Sequence, residues 1–138
     1  MEAVELIFRL DRIKALNLAG IAPEDAWFFL SREVHRRPKV LELHVGRIRA
    51  AAALDPEATY AALLDLMTVL QERGRALRWR LFRQVRDRLS GKCADELYRY
   101  LNAEIPLSHL PFSPRAVLHP GVVGKLGAGE SNFGGRKP

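Results

Sequence analysis

From Glu2 to about Ala103 apolar residues return at steps of three and four, interrupted only where proline or glycine intervenes, and no two segments carry a hairpin signal. That periodicity commits the chain to packed helices. The first expected helix runs from Glu2 to about Leu16, with Val4, Ile7, Phe8, Leu10, Ile13 and Ala15 on one broad face. Asn17, Gly20 and Pro23 break the pattern. Pro23-Glu24-Asp25 then suits a second start, where the missing N–H is harmless and acids favour the positive end of the helix dipole. This helix should end near Arg36, since Arg36 and Arg37 complement C-terminal carbonyls and Pro38 disfavours helical geometry before it. A third is expected from about Lys39 to Ala53, with Leu41, Val45, Ile48 and Ala52 inward and Arg47 and Arg49 off that face. Residues Val40 to Val45 also suit a strand, but the alanines that follow favour the helix.

Asp55-Pro56-Glu57 is the sharpest start signal: an N-cap, a proline in the first turn and an acid beside the dipole. The helix it opens carries Tyr60, Leu63, Leu64, Met67 and Leu70, and Gly74 should kink or end it. Leu77, Leu81, Val85 and Leu89 then form an i, i+4 ladder up to Ser90-Gly91, where Gly91 is expected to cap a C-terminus. A last helix, about Ala94 to Ala103, should pack Leu97, Leu101 and one of Tyr98 and Tyr100. The expected fold class is therefore all-α: a compact bundle of five or so helices over residues 1–104, then an extended C-terminal arm over 105–138. The last 33 residues hold six glycines and five prolines with no sustained period. Leu107, Leu110 and Phe112 leave the first half of the arm enough apolar surface to lie against the bundle or another subunit, whereas from Gly121 onward it reads as a flexible basic tail.

A length of 138 residues, 48% of them hydrophobic, suffices for one real core. The single cysteine, Cys93, excludes an intramolecular disulfide framework and a multi-cysteine zinc site, so a reducing cytoplasm is the expected compartment. No apolar run approaches the roughly 20 residues of a membrane span, and the acidic start does not suit a signal peptide. Lys and Arg total 22 against 16 Asp and Glu, a net charge of +6 that favours an anionic partner.

The charge concentrates between Arg73 and Arg88, where Arg73, Arg75, Arg78, Arg80, Arg83, Arg86 and Arg88 face a single acid, Asp87. At about 100° per residue the leucine ladder points one way, while Arg73, Arg80, Arg83 and Arg86 lie mostly opposite. Arginine's planar fork pairs with phosphate and stacks on bases, and Trp79 sits near the edge of the same surface as a stacking partner. The competing reading is a solvated face whose arginines pair with acids elsewhere in the fold. Arg32, Arg36, Arg37, Lys39, Arg47 and Arg49 form a second basic cluster that would extend the footprint if packing put it on the same side.

The segment Arg12 to Ser31 has helix-turn-helix spacing, with Gly20 in the turn and Ala15, Ala19, Ile21, Ala26 and Phe29 at the buried positions. Its exposed positions would include Glu24, Asp25, Trp27 and Phe28, poorly suited to phosphates, which favours plain helical-hairpin packing. Trp27, Phe28 and Phe29 are consecutive and cannot all enter one core, so Trp27 and Phe28 join Leu107, Leu110 and Phe112 as candidate partner contacts. The spacing of Leu89-Ser90, Leu97-Tyr98 and Leu110-Pro111-Phe112-Ser113 resembles a helix-turn-helix stretch of the flagellar transcriptional activator FlhC family. That family's zinc-binding cysteines have no counterpart, and no functional residue carries over; the resemblance implies no more than a DNA regulator.

Catalytic constellations are missing from the sequence. His35, His44, His109 and His119 lack metal-ligand spacing, and Cys93 has no identifiable base. The glycines from Gly121 to Gly129 lack the Gly-Lys-Ser/Thr ending of a phosphate loop. No enzyme, metal or cofactor is expected. The first expectation is a non-catalytic DNA- or RNA-binding protein using Arg73, Arg75, Arg80, Arg83, Arg86 and Trp79, with Arg36, Arg37 and Lys39 in support. The alternative is an assembly or adaptor protein that docks on an acidic protein partner, or on its own copies, through surface aromatics and the arm.

Overall fold

A computed structural model describes residues 21–118; the expected first helix, the turn at Gly20 and the tail from Gly121 lie outside them. Five α-helices follow one another: α1 (Pro23–Arg36), α2 (Leu41–Ala52), α3 (Pro56–Leu70), α4 (Arg75–Val85) and α5 (Gly91–Leu101). Short 3-10 turns at Arg86–Arg88 and Leu107–His109 flank α5, and there is no strand among the described residues. No helix among them is long and apolar enough to cross a membrane.

Helix α3 is the axis of the bundle. Asp55 opens it as expected, its side chain accepting the Ala58 N–H at 2.8 Å, with Pro56 in the first turn. Every residue from Ala58 to Met67 is buried, so this helix is surrounded, not merely covered along one stripe. Trp27, Ile48 and Ala51 from the helices before it and Leu81, Phe82, Val85, Leu89, Leu97, Leu101 and Leu110 from the chain after it join it in one core. A smaller core joins α1 to α2 through Ala26, Leu30, Val34, Leu43 and Ala50, with Val117 and Leu118 packed against it. Gly46 of α2 faces α1 at close range: a Cβ there would meet the Leu30 side chain at 3.4 Å, an ordinary van der Waals contact.

The inward face of α2 differs from its expected one. Leu41, Val45 and Ala52 are only partly buried, while Leu43, His44 and Arg47 go inside. Arg47, expected off the packed face, has no exposed side-chain surface and faces Asp65 of α3, equally buried. Its guanidinium also donates to the Ser31 hydroxyl at 2.9 Å and the Arg115 carbonyl at 3.0 Å, and lies 4.3 Å from the centre of the Trp27 ring. Asp65 accepts the Val117 and Leu118 backbone N–H groups, each at 2.8 Å. Two charges on adjacent buried helices therefore reward each other and draw the chain after Pro114 onto the bundle.

That attachment decides the course of residues 105–118. Leu110 joins the main core, Ser113 is buried, and Arg115 reaches Asp55 at 2.8 Å and Glu57 at 3.6 Å. Of the two surfaces open to this segment, it takes the bundle's own. Trp27, expected as a partner contact, is also interior, held under Arg47 and 5.6 Å from the Arg115 guanidinium. Burial of Trp27 leaves Phe28 as the residue of the aromatic triplet that faces out, with Phe29 half-buried.

Replacing Asp65 by Ala leaves the Arg47 charge buried and two amides unpartnered, and should cost about 3–5 kcal/mol in urea unfolding. Faster hydrogen exchange at Val117 and Leu118 should accompany the loss. His44 supplies a pH test. Fully buried, it bonds the Pro38 carbonyl through Nε2 at 2.7 Å while Nδ1 has no partner among the described residues. Desolvation holds its pKa below 6.5, although the Pro38 bond and Asp65 oppose the shift. The unfolded chain thus binds a proton that the fold refuses. Stability contributed by neutral His44 should be complete above pH 6.5 and fall as pH drops toward the folded pKa, by at most about 1.4 kcal/mol per unit. In His44→Gln that slope should vanish from urea midpoints measured between pH 7 and 5.

Candidate nucleic-acid interface

The arginine-rich stretch is divided by the fold into three parts. Gly74, in the left-handed conformation at φ 63°, turns the chain out of α3 and into α4, with the Leu70 side chain 3.2 Å from where a Cβ would stand. Leu81, Phe82 and Val85 then fasten α4 to the main core, and Leu77 packs at its edge. Arg78 falls on this inner side and is buried, donating to the Gln71 carbonyl and lying 3.5 Å from the Tyr100 hydroxyl. Burial pushes the Tyr100 phenol upward, with Arg78 opposing, so its proton stays available for the bond to the Gln71 carbonyl at 3.2 Å. These two side chains hold the strained α3–α4 corner, where Gln71 has φ 53°.

Arg73 is exposed but directed backward, its guanidinium 3.3 Å from the Val69 carbonyl and 3.5 Å from that of Leu70. It supplies the cationic cap that the last turn of α3 otherwise lacks. Arg75, Arg80, Arg83 and Arg86 make the outward face. None of these four forms an ion pair among the described residues, although Arg36 pairs with Glu33, Arg99 with Glu96 and Glu104, and Arg115 with Asp55 and Glu57. The competing reading, a solvated face whose arginines pair with acids elsewhere in the fold, has the solvated face but no such pair for these four among the described residues.

Helix α4 stops at Val85, earlier than the ladder implied. The chain tightens into the Arg86–Arg88 3-10 turn, and Ser90 accepts the Cys93 N–H at 3.2 Å to open α5. Ser90-Gly91 is thus a helix start and not a stop, because the serine N-cap satisfies an amide that a glycine C-cap would leave unserved. Starting α5 there lays Tyr98 beside Trp79, with ring centres 5.6 Å apart and planes at 81°. Phe82 meets Trp79 edge-on at 6.1 Å. The Arg83 guanidinium sits 5.1 Å from the Trp79 ring centre, and Arg86 lies 5.7 Å from Phe82 and 5.8 Å from Tyr98. Arg75, Trp79, Phe82, Arg83, Arg86, Tyr98, Ala76 and Asn102 enclose an open groove of about 730 Å³ with no acidic side chain in its lining.

Of the expected nucleic-acid residues, Arg75, Trp79, Arg83 and Arg86 meet in this groove, Arg80 lies exposed outside its lining, and Arg73 is turned to the α3 carbonyls. Arg36 pairs with Glu33 at 3.2 Å, and neither it nor Arg37 or Lys39 lines the groove. Tyr98, Phe82 and Asn102 were not foreseen there. The sequence left open which of Tyr98 and Tyr100 packs inward; Tyr100 does, leaving Tyr98 42% exposed. Among the partner candidates, Phe28 and Phe112 are exposed, Leu107 is half-buried, and Trp27 and Leu110 lie in the core. No group of three or more His, Cys, Asp or Glu side chains among the described residues could hold a metal ion.

No family model matches the chain, and neither a curated protein nor a solved structure does. The resemblance in spacing to a helix-turn-helix also lacks its second helix, since α5 is followed by a 3-10 turn and irregular chain to Leu118.

The division of the arginines has a stability signature. Arg75→Gln, Arg80→Gln and Arg83→Gln should each change unfolding free energy by no more than about 0.5 kcal/mol. Arg78→Ala, which strips the Gln71 carbonyl of its charged donor and removes buried packing, should cost about 1–3 kcal/mol in the same urea titration.

Proposed function

We propose that this protein binds nucleic acid without catalysis, through the arginine face of α4 and the turn that follows it. The observation that carries the proposal is the convergence of Arg75, Arg83 and Arg86 on one groove with no acidic side chain in its lining, with Arg80 exposed nearby and none of the four ion-paired among the described residues. Four guanidinium groups near one groove, with no acid partner among the described residues, repel each other, and an arriving anion relieves that repulsion. Phosphate is the anion whose geometry the arginine fork matches. The first turn of α4 adds to the effect: it contains no acid, so the positive end of the helix dipole is uncompensated.

An assembly role, on an acidic protein or a second copy of the chain, has less in its favour. Trp27 and Leu110 are spent in the interior, which leaves Phe28 and Phe112 as the exposed aromatic residues of that set. Single exposed apolar side chains are ordinary on protein surfaces and do not by themselves make a docking face.

Fluorescence anisotropy of labelled DNA and RNA across a salt series tests the proposal. With up to four phosphates engaged, log K should fall against log salt with a slope of about −3 to −4. The double variant Arg80→Glu/Arg83→Glu, with wild-type helicity by circular dichroism, should abolish most of the binding and flatten the slope. Failure to bind any of these strands at low salt would sink the proposal and redirect the search to an acidic protein.

A further inference from the structure

The groove between α4 and α5 contains more than phosphate ligands. Trp79, Phe82 and Tyr98 share it with Arg75, Arg83 and Arg86, and Asn102 lines it as well, an uncharged hydrogen-bonding group in addition to the Tyr98 hydroxyl and the Trp79 N–H. We infer that it accommodates unpaired bases, making single-stranded nucleic acid the preferred ligand; this rests on the phosphate-binding role proposed for the same face.

Two features of the groove support this. The first is the interleaving of rings and cations. Tyr98 is 42% exposed, meets Trp79 edge-to-face at 5.6 Å, and has the Arg86 guanidinium 5.8 Å from its centre, while Arg83 lies 5.1 Å from Trp79. Guanidinium groups over rings are planar cationic layers on which a base can stack, or they can swing to a phosphate and leave the ring to the base. An unpaired base can use such a platform because its π-face is free. In a duplex the faces are covered by neighbouring pairs, so the same rings would add nothing to the attraction of the arginines.

The second is shape. A duplex major groove admits a projecting helix, whereas Arg75, Arg83 and Arg86 line a concavity walled by α5. A groove of about 730 Å³ takes a nucleotide or two of a flexible strand, with Asn102 placed to hydrogen-bond a base edge or a sugar hydroxyl. Phe82 is a core residue and Trp79 packs against the core, but the 42% exposure of Tyr98 is not required by packing, and electrostatic binding alone would not need it.

The test compares a labelled single-stranded 12-mer, as DNA and as RNA, with the same strand annealed to its complement, using the full chain. Wild type should bind the single strand more tightly than the duplex, and tryptophan emission should fall on adding the single strand only. Tyr98→Leu, at an exposed helical site, should weaken single-strand binding about tenfold and leave duplex binding unchanged. Tyr98→Phe keeps the ring and should retain wild-type affinity. Equal or tighter duplex binding, or equal loss on both forms in Tyr98→Leu, overturns the stacking inference while leaving phosphate binding in place. Absence of binding to every form at low salt overturns the underlying role as well.

Discussion

Arg47 and Asp65 meet at the centre of the described fold with no solvent on either side chain. Removing two charges from water costs several kcal/mol for each, and their attraction compensates only when the remaining donors and acceptors are also used. Here Ser31 of α1, the Arg115 carbonyl, the Trp27 ring and the amides of Val117 and Leu118 serve the pair among the described residues. Burial still draws the Arg47 guanidinium below its ordinary pKa, with Asp65 opposing. The pair is therefore affordable only in one arrangement of three helices and the distal chain, and that arrangement sets where α3 lies.

From α3 the candidate interface follows. Its buried side chains anchor Leu81, Phe82 and Val85 of α4 and Leu97 and Leu101 of α5, while Gln71, Arg78 and Tyr100 stiffen the corner between α3 and α4. With both helices seated by their apolar faces, the residues left over face each other across the groove. Arginines crowded into one short helix with no acid in its first turn run against local electrostatic preference. Such a local conflict inside an otherwise consistent bundle is where function is expected to sit.

Local signals were legible wherever one chemical group sufficed. Pro23 and Pro56 start their helices and Asp55 caps α3, because these depend on backbone groups a few residues away. The Leu81 and Val85 ladder was also legible, as was the outward direction of Arg80, Arg83 and Arg86. Less so were positions with two plausible partners. Ser90-Gly91 carries both a cap for a following helix and a stop for a preceding one, and the serine prevails. Arg47 carries a charge, and local periodicity has no means of showing that Asp65, 18 residues on, waits inside. Trp27, Leu110 and Arg78 were misread or left undecided for the same reason: burial depends on what arrives from elsewhere in the chain.

By itself, the sequence determined the helical class, the main helix boundaries and the concentration of positive charge on one segment, since each follows from spacing and composition within a few turns. Only the tertiary structure decided which arginines are consumed inside the fold and which stay exposed, and that Tyr98 rather than Tyr100 stands beside Trp79. The physical reason is that solvation and pairing of a side chain belong to the packed neighbours, and those neighbours, Gln71 for Arg78 and Trp79 for Arg83 apart, come from distant helices.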